Sequence, residues 1–143
     1  MNRKLYWLLI SAVLLCFACK DNTATTKKQT VADENLFGLW HYADFPGMYA
    51  QITDTGYVDY VGGPDATITY AMQWTDKTHY TLEVKDLRGV EPNDELKPGA
   101  KVTVEIKAVT PDHCWIVLTH KNTAQCLLLT RKKDYKPTGP KPC

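Results

Sequence analysis

Thr67-Ile68-Thr69-Tyr70-Ala71-Met72-Gln73-Trp74 sets a large apolar residue at every second position and a small or polar one between. Successive side chains of a strand leave from opposite faces, so this stretch is a β-strand that buries Ile68, Tyr70, Met72 and Trp74. The same alternation continues downstream. Tyr80, Leu82 and Val84 oppose Thr81, Glu83 and Lys85, while Val102, Val104 and Ile106 oppose Thr103, Glu105 and Lys107. No helical period is sustained between Leu36 and Lys133. Eight runs qualify as strands: Leu36 to Tyr42, Met48 to Thr53, Tyr57 to Val61, Thr67 to Trp74, His79 to Val84, Lys101 to Val109, His113 to Thr119 and Ala124 to Lys132.

Short turns join most of them. Asp54-Thr55-Gly56, Gly62-Gly63-Pro64-Asp65 and Lys97-Pro98-Gly99 carry turn chemistry, and short hairpins make sequential strands neighbours. Closing eight tilted antiparallel strands removes exposed edges and leaves an interior that side chains fill or that holds one small ligand. The expected fold is therefore all-β, an eight-stranded up-and-down barrel. Lys85 to Gly99 is the exception among the connections, a long polar loop suited to a lid or a partner contact.

The N-terminal segment is of another kind. Arg3-Lys4 precedes an apolar run from Leu5 to Ala18, then Cys19 and the polar Lys20-Asp21-Asn22. This is the layout of a secretory leader, and the run is shorter than the ~20 residues of a membrane-spanning helix. Leu14-Leu15-Cys16-Phe17-Ala18-Cys19 resembles the lipobox of bacterial lipoproteins. That resemblance implies cleavage after Ala18, lipidation of Cys19, and attachment to an outer membrane on its periplasmic or surface face.

The expected organisation is a leader over 1–18, a lipidated Cys19 with a tether to 35, a barrel over 36–134, and a Pro-rich tail over 135–143. Lys20 to Asn35 has almost no large apolar side chain and cannot fold alone. As a flexible chain it reaches about 20–25 Å. Arg3 and Lys4 leave with the leader, so the 17 basic residues become 15 against 16 acidic ones. Nucleic acid is not an expected partner of so balanced a chain.

Gly38-Leu39-Trp40 on the first strand and Arg131 on the last resemble the lipocalin, or calycin, pattern, in which a basic side chain of the last strand packs across a Gly-x-Trp tryptophan. First and last strands adjoin in a closed barrel, so guanidinium on indole is worth ~0.5–2 kcal/mol. With the lipobox, the tether and Leu36-Phe37-Gly38-Leu39-Trp40, the chain resembles the lipocalin-like lipoproteins of Bacteroidetes-type bacteria. It is shorter than typical lipocalins and has no apolar helix after the last strand, which argues against a large cavity.

Chemistry-bearing residues are sparse. Asp54-Thr55-Gly56 matches one half of an aspartic-protease motif, and a hairpin turn accounts for it. The four histidines lack metal-site spacing, Ser11 is the only serine, and His113 and Cys114 point to opposite faces of a strand. No metal, cofactor or enzymatic activity is expected. Cys114 and Cys126 lie on consecutive strands and form a candidate disulfide, but a turn centred on Lys121-Asn122 would set Cys114 opposite Leu129 and forbid it. Trp40, Tyr70, Trp74, Tyr80 and Trp115 either line a pocket or fill the core, and the small barrel favours filling. If the barrel is hollow, Tyr70, Met72, Trp74, Tyr80 and Leu82 are the expected ligand-binding residues, for a small apolar ligand. A solid barrel would instead engage an envelope protein through Lys85 to Gly99, as an inhibitor, immunity factor or accessory subunit.

Overall fold

The computed structural model describes residues 33–136 and 138–143; the leader, Cys19 and most of the tether lie outside them. A 3-10 turn, Glu34–Leu36, precedes eight strands: β1 Gly38–Tyr42, β2 Met48–Ile52, β3 Gly56–Val61, β4 Thr67–Trp74, β5 His79–Arg88, β6 Lys101–Val109, β7 His113–His120 and β8 Thr123–Thr130. Each pairs antiparallel with its sequence neighbours, and β1 meets β8 through His41 opposite Thr130 and Tyr42 opposite Leu129. The result is a closed up-and-down barrel of lipocalin-like architecture.

The alternation places the core. Ile68, Tyr70 and Met72 of β4, Tyr80, Leu82 and Val84 of β5, and Val104 and Ile106 of β6 are buried, with threonines, Glu83 and Glu105 between them turned outward. Ile116, Leu127 and Leu129 complete the interior wall. β-branched and aromatic side chains fit such a pleated, half-buried surface.

Several strand ends move by a residue or two, and three departures from the expectation matter for the site. Leu36 is fully buried but sits in the 3-10 turn, whose Asp33 side chain accepts a hydrogen bond from the Asn35 amide. β5 runs on to Arg88, because a bulge beside Tyr70 resets its pairing with β4 and recruits Asp86, Leu87 and Arg88. The remaining loop, 89–100, is folded rather than protruding: Asn93 accepts the amides of Glu95 and Leu96, and Val90, Leu96 and Ala100 pack on the core.

The cysteine pairing is corrected as well. Cys114 faces Leu129 and Cys126 faces Val117, so Cys114 and Cys126 are out of register for a bond. Cys126 is instead joined to Cys143, with Cα atoms 6.0 Å apart, and Cys114 is a free, buried thiol. Far from trailing away, the Pro-rich tail folds back over the outer face of β7 and β8. Tyr135 stacks on His113 with ring centroids 5.5 Å apart, and the Lys141 ammonium lies 5.7 Å from the Trp115 ring.

Candidate functional site: the barrel interior and its mouth

The end of the barrel where the chain enters is sealed by Arg131. Its guanidinium carbon lies 3.7 Å from the Trp40 ring centroid, and its nitrogens donate to the carbonyls of Leu39 (3.0 Å), Asn35 (2.6 Å) and Phe37 (2.6 Å). Trp40 in turn donates from Nε1 to the Leu36 carbonyl at 2.6 Å. Gly38 has φ +115°, and a Cβ there would stand 2.6 Å from Arg131 Nη1, so only glycine admits the guanidinium. Gly38, Trp40 and Arg131 therefore form one closure that ties the 3-10 turn to the barrel.

Above this floor the interior holds a carboxylate. Asp59 of β3 faces inward and is 7% exposed. Tyr42 donates to its Oδ1 at 2.7 Å, and the two hydroxyls of Tyr42 and Tyr57 are 2.6 Å apart. With the Tyr42 proton committed to the carboxylate, Tyr57 is the donor of the second bond, giving a chain from Tyr57 through Tyr42 to Asp59. The Tyr70 hydroxyl bears on the same carboxylate. Burial pushes the Asp59 pKa up to about 6, and the Tyr42 and Tyr70 hydrogen bonds only partly offset it. No cation pairs with Asp59 among the described residues. Tyr80, also fully buried, has a hydroxyl without a partner among the described residues.

The expected ligand-binding residues belong to this packed interior. Tyr70, Met72, Tyr80 and Leu82 are each at most 9% exposed, and Trp74 packs on Tyr80 with centroids 4.8 Å apart. The open space lies higher. A recess of about 400 Å³ opens at the mouth between 89–100 and the ends of β6, β7 and β8. Val102, Leu118 and Leu96 give it an apolar base; His120, Gln125 and Glu95 supply polar groups. Across its edge Lys121 Nζ stands 3.9 Å from Glu95 Oε1. Leu82 sits directly across from Val102 in the β5–β6 pairing, so it backs the recess, and Tyr80 lies one inward position deeper.

The sequence marks the loop over the mouth as a lid or partner contact, but neither Asp59 nor the Val102, Leu118 and Gln125 side of the recess is among its expected site residues. The signal for both was periodicity: Asp59 shares a face with Tyr57 and Val61, and Gln125 shares one with Leu127 and Leu129. No group of three or more His, Cys, Asp or Glu side chains is placed to hold a metal among the described residues. Asp76, His79 and Thr78 instead build the β4–β5 turn, where backbone and side-chain hydrogen bonds hold the Asp76 carboxyl down at about 2. No protein-family model, curated protein or solved structure matches the chain.

Proposed function

We propose that the protein is a non-enzymatic binding module, lipid-anchored to the cell envelope through Cys19, that takes a small ligand with an apolar body into the mouth of its barrel. The observation that carries this reading is the 400 Å³ recess over Val102 and Leu118, within the size range of ligand pockets and walled by a folded loop. Polar groups on the rim would orient a ligand whose apolar part rests on the base. The free thiol is a poor nucleophile, because burial lifts its pKa to about 12. A second reading, a solid-barrel module for an envelope protein, draws on the filled interior, where Trp40, Tyr57 and Tyr80 are almost fully buried.

N-phenyl-1-naphthylamine, an apolar probe that brightens on leaving water, tests the ligand site. It is expected to bind saturably and to raise the melting temperature, since binding to the native state alone stabilises by about 2.7 kcal/mol at a hundredfold excess over Kd. Leu118→Trp, which fills the recess, should abolish both effects. If the unmodified protein gives neither, the interaction module is the better reading.

The anchor is tested separately. Cys19→Ala is expected to leave the membrane fraction or to accumulate as uncleaved precursor, because acyl chains hold a lipoprotein by ~0.8 kcal/mol per buried CH₂. Unchanged membrane partitioning of that variant would remove the lipoprotein from the proposal.

A further inference from the structure

The C-terminal strap does more than cover β7 and β8. Between it and the β1–β2 turn runs a cleft of about 340 Å³ on the flank of the barrel, at the seam where β1 meets β8. Its walls are held from both sides. On one, Ala43 donates its amide to the Leu128 carbonyl at 2.9 Å and Met48 donates to Phe45 at 3.0 Å, with Gly47 at φ +89° turning the chain. On the other, Tyr135 is fixed by its stack on His113, by its hydroxyl 3.2 Å from His113 Nδ1, and by its amide on the Lys132 carbonyl at 3.1 Å.

The lining has two chemistries. Pro46, Met48, Leu128 and Tyr135 give an apolar wall; Lys133 and Lys136 are two basic residues of the lining, against one acidic residue, Asp134. Among the described residues neither lysine is in an ion pair. Two unpaired cations beside a preformed apolar wall complement a ligand with one negative charge and a flat or chain-like body. We infer that this cleft is a second ligand site, distinct from the mouth, for small amphipathic anions such as aromatic or aliphatic carboxylates and sulfonates.

The site can be separated from the mouth with 8-anilinonaphthalene-1-sulfonate, an anionic dye of suitable size, in the Leu118→Trp background where the mouth is filled. The dye is expected to bind saturably there, to weaken at least tenfold on the double change Lys133→Glu and Lys136→Glu, and to weaken with rising salt as screened charges do. Both lysines are exposed, so the double variant should keep the parent's melting temperature. Loss of dye binding in Leu118→Trp alone would place the anion in the mouth and overturn the second site. Equal affinity with and without the two lysines would overturn it too. Neither result bears on N-phenyl-1-naphthylamine binding to the unmodified mouth, so this inference and the proposed function fail separately.

Discussion

Arg131→Ala should lose about 2–4 kcal/mol of stability, far more than the neighbouring Lys133→Ala, for which under ~0.5 kcal/mol is expected. The guanidinium donates to three carbonyls, those of Asn35, Phe37 and Leu39, while covering Trp40. Hydrogen bonds from a charged donor carry ~1.5–3 kcal/mol each, and the cation–π contact adds ~0.5–2. The sum is discounted because Arg131 is only partly buried and water can replace some of these bonds. Arg131→Lys should recover little, since an ammonium cannot reproduce a planar fork that reaches several carbonyls. Urea unfolding of the three variants measures this. Equal losses at Arg131 and Lys133 would mean that the closure does not hold the first strand to the last.

Asp59→Asn should act in the opposite direction and stabilise the protein at pH 7.5. Burial raises the carboxyl from 3.8 to about 6, which is about 3 kcal/mol of cost for keeping it ionised inside the barrel. The sign follows from proton binding. Below pH 3.8 the carboxyl is neutral in both the folded and the unfolded chain, so it carries no penalty. Between 3.8 and about 6 only the folded chain holds the proton, and the stabilisation that proton brings is lost as pH rises through 6. The amide keeps an acceptor for Tyr42 and carries no charge. It should therefore gain about 1–3 kcal/mol over the parent at pH 7.5, with the difference closing toward pH 4. A destabilised Asp59→Asn at pH 7.5, or a difference that does not change with pH, would show that the carboxylate is satisfied in the fold. A buried charge left without a counter-ion is a cost that functional interiors tolerate and structural cores avoid.

Much of this barrel was legible because period two is a local signal. β4 and β6 have the bounds the alternation marks, and the Lys121-Asn122 turn fixes the register that separates Cys114 from Cys126. What escaped is what depends on distant parts of the chain. The extension of β5 to Arg88 rests on a bulge opposite Tyr70, and the partner of Cys126 arrives from a tail whose prolines read only as an extended segment. Asp59 escaped for a further reason. A single aspartate in a strand reads as outward-facing, and only the assembled sheet brings Tyr42 of β1 and Tyr70 of β4 onto it. The ligand set Tyr70, Met72, Tyr80 and Leu82 occupies inward positions as the pattern requires, yet alternation gives direction and not free volume. Space is left at the mouth because the inward positions there, at Val102, Leu118 and Gln125, carry smaller or more polar side chains than the tyrosines and tryptophan below.

The most direct measurement is a methyl-resolved NMR titration of the folded domain with N-phenyl-1-naphthylamine. Binding at the mouth predicts saturable shifts of the Val102, Leu118 and Leu96 methyls, with Ile52, Ile116 and Leu129 in the packed interior left in place. Shifts centred on Ile116 and Leu129, or no methyl shift at saturating probe, would contradict a barrel that is filled within and open to a ligand at its mouth.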